Sequence, residues 1–412
     1  MAIFKPYNCF YLDIAAHVNL PEFVMHNEGQ YIVLWWNALP IGHLFIKPEE
    51  VLTPAAYEAK VIHATSWAVN HYVKDMVPLP ESWSALRTIL ANAFNHTETI
   101  PQTCKASVVI CTRNRADHLH QCLTSLQQQE CKPAEIIVVD NASVDDRTKK
   151  TAEAFPNVKY IWEGRPGLDI ARNTGAKAAT EAIVLYTDDD TRIHPRWVYE
   201  AVKTFDDPSV MAMTGLVLAA ELNTEAQWLF ERHWPFNRGF IDKRYDSAFF
   251  ASTVENGTPV WNIGAGANMG FRKDIFSQVG YFDERLDVGA AGCSGDSEIW
   301  YRILASGNTI HYNPRAIVSH YHRDGMDKFK YQIFHYMRGF TAAILIQYQR
   351  FRHKGNLRHL FRSLPPYYAW LLVRGFPYNR GRYKTIFAEI RGVFSGILFY
   401  IKHRNTPSNH SL

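Results

Sequence analysis

The sequence predicts an α/β protein: a mostly parallel sheet with helices on both faces, preceded by a small α+β unit and followed by a basic, helical tail. Three observations predict this. Between Ala106 and about Glu221, short β-branched runs alternate with helical patterns. Polar residues gather just after several of those runs. Finally, basic charge is concentrated from Arg350 onward, where twelve Lys and Arg, Arg350 included, face one acid, leaving 32 bases and 39 acids in the rest of the chain. The 412 residues suit two or three structural units, and the 47% hydrophobic content suits a folded globular chain.

Taken in order, residues 1–100 read as the small unit. YIVLWW and IGHLFI form two strands joined by a turn at NALP, and a helical stretch follows near Pro54 to Val73. No chemistry is assigned here, and a packing or oligomerisation role is expected. Residues 101–325 form the central domain. Its strand-like runs SVVIC, EIIVV, VKYIW, AIVLYT and VMAMTG are separated by helical stretches such as ADHLHQCLTSLQQQ and LDIARNTGAKAATE. This alternation is the pattern of βαβ units. Such sheets bind ligands beyond the carboxyl ends of their strands. There lie Thr112 and Arg113, then Asp140 and Asn141, then Asp188 to Asp190.

After about Glu221 the alternation gives way to long aromatic loops, of the kind that shape binding sites. A further strand, AIVSH, leads to HYHRDG, and a helix is expected over roughly Lys328 to Arg350. Residues 326–412 form the tail. Its apolar runs are interrupted by Arg374 and Arg391 and are too short to span a bilayer. Aromatic residues interleaved with bases suit an anionic membrane surface; helices packed on the protein's own body are the alternative. Nucleic acid is not an expected partner, because the tail lacks a recognition motif and the body is acidic. The six cysteines show no paired spacing and the N-terminus lacks the layout of a secretory signal. Free thiols, a reducing compartment and a cytoplasmic protein, peripheral at the inner face of the membrane if the tail binds there, are therefore expected.

Three successive carboxylates at the end of a buried strand are costly unless a cation neutralises them. A divalent metal is the simplest answer, and a solvated acidic turn capping the next helix is the bland one. With a metal present, Asp188 and Asp190 divide the labour, one near a ribose or the metal's water shell and the other on the cation itself.

SVVICTRNRADHLHQCLTSL, EIIVVDNAS, GLDIARNTGAKAA, AIVLYTDDDTR, GAGANMGFRKDIFSQVGYFDERL and GDSEIWYRIL together resemble glycosyltransferase family 2, over roughly Ala106 to His322. The resemblance implies a GT-A fold with a Rossmann-like sheet, a nucleotide-diphosphate sugar donor (a UDP sugar first), a divalent cation (Mn²⁺ or Mg²⁺) and inversion at the anomeric carbon. It also implies a surface polysaccharide or other glycoconjugate as product, with a saccharide or lipid-linked acceptor. By resemblance, Thr112, Arg113 and Arg115 lie under the nucleotide, Asp140, with Asn141 beside it, recognises the base or ribose, and Arg172 and Asn173 match the family's ARN motif. Asp188 and Asp190 match the DxD pair, and His320 the histidine that completes the metal shell, with His322 as the spare. Trp261, Asn262, Gly264, Gly266 and Asn268 match the wall that contacts donor sugar and acceptor.

An acceptor hydroxyl needs a base as the new bond forms. Asp296 is the candidate, resembling the final acid of the family's ED motif, although Gly295 stands where the preceding acid is usual and Glu298 follows two residues on. An N-cap is the structural alternative for Asp296. Arg165 is placed to reach a phosphate, while Trp300 is read as core. Two rival functions are a sugar nucleotidyltransferase, disfavoured because CTRNRADHL has no glycine, and a non-catalytic nucleotide-sugar-binding protein, for which Gly295 is the hint.

Overall fold

A computed structural model describes residues 4–73, 80–94 and 98–407. Strands β1 (Tyr7–Asp13), β2 (Gly29–Trp36) and β3 (Leu39–Ile46) make a sheet of their own, with β1 and β2 parallel and β2 and β3 antiparallel. The expected hairpin is therefore joined by a strand from the N-terminus that the sequence reading passed over. Every residue of β2 is buried, and its period of two explains why. Ile32, Leu34 and Trp36 pack with the helices Pro54–Tyr72 and Trp83–Ala93, whereas Tyr31, Val33 and Trp35 join the core of the main domain. Each such apolar side chain contributes about 1.5–3 kcal/mol on burial. The first of the two helices starts at Thr53, whose hydroxyl accepts from the Ala56 amide, and continues into Pro54 at its first position, where a missing N–H costs nothing.

The main sheet contains β4 (Thr103–Thr112), β5 (Lys132–Asn141), β6 (Val158–Glu163), β7 (Ile183–Asp188), β8 (Thr191–Ile193), β9 (Val210–Ala219), β10 (Lys243–Tyr245), β11 (Asn268–Arg272) and β12 (Thr309–His320). The spatial order is β10-β12-β9-β11-β7-β4-β5-β6, with β8 paired to β12. This is the mixed α/β sheet flanked by helices that a GT-A fold requires. The pairs β4–β5, β5–β6, β4–β7 and β9–β12 are parallel. Strand β11 enters antiparallel between β7 and β9, and β8 and β10 run antiparallel to β12. These three short strands lie outside the βα alternation and left no periodic signal in the sequence.

Both faces of the central strands are buried, which accounts for their continuous apolar runs. Along β5, Ile137 and Val139 enter one core while Ile136 and Val138 enter the other. The cysteine expectation is corrected here: Cys104 and Cys131 form a disulfide, and Cys9, Cys111, Cys122 and Cys293 are free. The parallel register of β4 and β5 brings the two Cα atoms to 6.1 Å across a sequence separation of 27, a proximity that spacing within the chain conceals. The cysteines therefore supply no ground for a reducing compartment.

The helix expected over Lys328 to Arg350 runs Met326–Phe351, followed by Leu364–Gly375 and Ile386–His403. The last helix lies directly on Met326–Phe351. A Cβ at Gly392 would sit 2.5 Å from the Phe334 carbonyl oxygen, and one at Gly396 would sit 2.5 Å from that of Arg338. The glycine stripe lets the backbones approach, while Phe387, Phe394, Leu398 and Ile401 on the same helix stay exposed. Among the described residues, no helix is long and apolar enough to cross a membrane.

Candidate active site

A cavity of about 1840 Å³ opens at the carboxyl ends of β4 and β7, walled on its far side by residues of the C-terminal helices such as Phe340, Leu364 and Tyr368. Register explains how its acids meet. Cys111 of β4 pairs with Asp188, the last residue of β7, so Thr112 lies beside the turn that carries Asp189 and Asp190. Strand β8 then returns against β12 with Thr191 opposite His320, which delivers the imidazole to Asp190.

The three aspartates are held differently. Asp189 accepts from Thr112 Oγ1 at 2.7 Å and from Arg115 Nη1 at 2.9 Å. Asp190 accepts from Arg115 Nη1 at 2.8 Å and lies 3.2 Å from His320 Nε2, with Arg323 at 3.7 Å. Among the described residues, none donates a hydrogen bond to the Asp188 carboxylate. Burial, and next the charge of Asp190, raise the Asp188 pKa and push Asp189 up to about 6. At Asp190 burial acts the same way, yet His320 and Arg115 outweigh it and hold the carboxyl far below the usual range. His320 is raised because Asp190 outweighs its burial. Ligand atoms of Asp188, Asp190 and His320 all lie within 4.8 Å of one another, two hard oxygens and one imidazole nitrogen. That donor set fits a divalent cation such as Mn²⁺ or Mg²⁺.

A second acid group lines the same cavity. Arg172, on the helix Leu168–Ala178, is buried and bonds Asp169 at 2.9 Å and Asp287 at 2.7 Å through Nη1. Asp296 sits in the first turn of the helix Gly295–Ala305, but the N-cap is Ser294, so the capping alternative does not hold. Its Oδ2 accepts from the Gly266 amide at 2.8 Å and its Oδ1 from the Ser297 amide at 2.6 Å. Burial raises the Asp296 pKa against the pull of Arg172, and Asp287 adds to the rise. Close contact explains two glycines. A Cβ at Gly266 would meet Arg172 Nη2 at 2.6 Å, and one at Gly295 would meet Asp169 Oδ2 at 2.0 Å. The buried carboxylate of Asp169 thus occupies the space that a side chain at position 295 would need.

Thr112, Arg113, Arg115, Asn141, Arg172, Asp188, Asp189, Asp190, Trp261, Gly266, Asp296 and His320 all line the cavity, Arg113 as an exposed side chain. Asn141 also bridges loops, donating to the Arg165 carbonyl and accepting from the Gly167 amide. Trp261 stands at the rim against Phe340 and His359, with centroids 4.9 and 5.0 Å away. Three expected contacts do not reach it. Asp140 shares the strand parity of Ile136 and Val138, so it turns to the helix-covered face and accepts from Tyr160 Oη at 2.9 Å. Asn268 is wholly buried, bonding Trp197 Nε1 and the carbonyls of Leu216 and Ala316. Arg165 lies on the surface, paired with Glu163 and Glu284. Asn173 braces the Phe282 backbone, Glu298 pairs with Arg302 in the interior, and Trp300 is core. Sequence reasoning missed Asp169 and Asp287. Only Asp169 left a trace, one helical turn before Arg172.

Residues 107–280 match the family described as Glycosyl transferase family 2. The chain is 30% identical over 200 residues to glycosyltransferase AglE of Haloferax volcanii, covering 47% of this chain and 60% of that one. It is 22% identical over 255 residues to the glucosyl-dolichyl phosphate glucuronosyltransferase of the same organism, covering 58% and 77%. A solved mannosyltransferase from Pyrobaculum calidifontis, in complex with GDP-Man and Mn²⁺, overlaps loosely, with a TM-score of 0.46 at 17% identity over 83% of this chain and 96% of that one. Residues 107–280 of this chain thus carry the match to glycosyl transferase family 2, and the chain spans 60% of the length of its Haloferax AglE relative.

Proposed function

We propose that the chain transfers a sugar, with inversion, from a nucleotide-diphosphate donor to an acceptor hydroxyl. The observation that carries this reading is one cavity lined by two distinct acid groups, the Asp188, Asp190 and His320 set and the buried, raised Asp296. Asp296 is the base. Its pKa lies above that of an ordinary aspartate, which brings its proton affinity closer to what abstraction from a hydroxyl requires. The Gly266 and Ser297 amides fix the direction of its carboxylate. Arg113 and Arg115 at the mouth bind the anionic donor, and Trp261 presents a ring face to a sugar. Asp188, Asp190 and His320 would hold Mn²⁺ or Mg²⁺, which when bound neutralises charge on the diphosphate.

The acceptor on this reading is lipid-linked and met at a membrane surface, in line with the glucosyl-dolichyl phosphate for which the glucuronosyltransferase relative is named. The tail supports it. Tyr367, Trp370, Val373, Phe376 and Tyr378 are exposed on and just after Leu364–Gly375, as are the apolar side chains of the last helix. Glu389, the tail's single acid, is buried and bonded to Arg382 and Thr385, so the exposed tail charge is basic. The inner face is packed and the outer face is free to meet anionic lipid. The central test measures transfer from a panel of nucleotide sugars, UDP sugars first, with and without Mn²⁺ or Mg²⁺. Asp296→Asn should lower transfer roughly 10³-fold while donor binding persists; full transfer by that variant refutes the proposal. Flotation with phosphatidylserine liposomes, with and without Trp370→Ser and Phe394→Ser, tests the surface.

A further inference from the structure

Behind the Asp188, Asp190 and His320 group lies a buried chain of polar atoms. His320 Nδ1 faces His322 Nδ1 at 3.3 Å, and His322 Nε2 faces Glu231 Oε2 at 3.2 Å. His320 is 7% exposed, His322 6% and Glu231 5%, so water does not compete for these bonds. The three side chains come from the end of β12, the segment just past it and the helix Glu225–His233. Aromatic rings hold the imidazoles in place. Phe230 packs on His322 at 4.4 Å between centroids, and the edge contacts of Phe236 reach His320 at 5.4 Å and His322 at 6.0 Å.

The donor and acceptor rules then run in one direction along the chain. A carboxylate only accepts, so His322 carries its hydrogen on Nε2, toward Glu231. A neutral His322 therefore presents a lone pair at Nδ1. The 3.3 Å contact requires His320 to donate from its own Nδ1. What remains on His320 is Nε2, the atom 3.2 Å from Asp190 Oδ1. Which nitrogen of a ligating histidine faces its metal is set by the bond that the other nitrogen makes.

The geometry points to Glu231 and His322 as positioning residues that fix the tautomer of His320, so that its Nε2 lone pair faces a divalent cation shared with Asp188 and Asp190. This rests on the metal-dependent reading of the site. It adds two residues that act through His320, one of them, Glu231, outside the cavity lining and on a helix remote in sequence from the aspartates.

The test uses the full chain and Mn²⁺ itself, titrated in the presence of UDP and followed by calorimetry or electron paramagnetic resonance. His322→Phe removes the acceptor for His320 while keeping a ring among Phe230 and Phe236. It should weaken Mn²⁺ binding 10- to 100-fold, the range typical of lost outer-shell partners. Glu231→Gln still offers an oxygen to His322 Nε2 and should lose only a few-fold. In ¹⁵N-histidine NMR of the Mg²⁺-loaded wild type, His320 should carry its hydrogen on Nδ1. A folded His322→Phe with wild-type Mn²⁺ affinity, or a wild-type His320 protonated at Nε2, overturns the inference while leaving the transferase reading intact. A wild type that binds no divalent cation sinks the metal reading as well. Should His322→Phe fail to fold by circular dichroism, the wild-type tautomer decides.

Discussion

The cavity has two clusters of carboxylates, and they are built in opposite ways. Asp188, Asp189 and Asp190 are neighbours in sequence at the end of one strand, with Arg115 and His320 brought to them. Asp169, Asp287 and Asp296 come from three separate segments and gather about Arg172. Each cluster has more acid than base, but the excess is resolved differently. In the first, charge concentrates on Asp190, and the Asp188 carboxylate has no protein donor among the described residues, which leaves a place for an added cation. In the second, no histidine among the described residues joins the group, burial dominates, and Asp169 and Asp296 are both raised. On the proposed reading a shared net charge serves two chemistries, one cluster holding a metal and the other holding and releasing a proton.

Substitution separates the two most sharply. Asp190→Asn and Asp296→Asn should each lower kcat by roughly 10³-fold, equivalent to about 4 kcal/mol. Only Asp190→Asn should also abolish Mn²⁺ binding, measured by calorimetry. Equal metal affinity in the two variants would erase the distinction.

Stability offers the next test. Arg172→Met leaves Asp169 and Asp287 buried without their counter-charge, and should cost roughly 3–5 kcal/mol in urea denaturation. Removing a partly exposed partner of the other cluster, as in Arg115→Met, should cost less, because His320 and Arg323 still pair Asp190. A reversed order would mean that the second cluster is not the more tightly closed.

Gly295→Ala is a smaller perturbation. Its Cβ would collide with the Asp169 carboxylate, which Arg172 pins, and the strain should cost roughly 1–3 kcal/mol. The double variant Gly295→Ala with Asp169→Ala frees the space. If it is no more stable than the Gly295→Ala, Asp169→Leu variant, which refills that space, the steric account of Gly295 is wrong.

The smallest effect is a displacement on the pH axis. A base must be ionised, so activity should rise as pH passes upward through the Asp296 pKa. The acid limb of kcat/KM should lie above the ordinary aspartate value of about 3.8. Stability runs the other way: a folded pKa above the unfolded one favours the protonated form, and that contribution is lost as pH rises through the folded value. A limb at the unperturbed value would remove Asp296 from the role of a buried base.

Much of this was readable in the chain. The alternation over residues 106–219 revealed β4 to β7 and β9, because buried strands need continuous apolar runs and their covering helices need amphipathic ones. The aspartate run was visible because it is contiguous, and Asp296 because its segment resembles the family's ED motif. The antiparallel strands β8, β10 and β11 were not visible, since they are three to five residues long and carry no period of their own. Asp140 shows the limit most plainly. It stands at the expected strand end, yet one step of strand parity turns it away from the cavity and Asn141 toward it.

Sequence by itself determined the elements, the charge of the tail and the place of the acids along the chain, since each depends on residues close to one another. The tertiary structure decided which acids meet. The Cys104–Cys131 pair, the approach of His320 to Asp190 through the β8–β12 register, and the gathering of Asp169, Asp287 and Asp296 about Arg172 all join residues separated by tens of positions. The energies that select such contacts, close packing and compensation of buried charge, exist only once the chain has closed on itself.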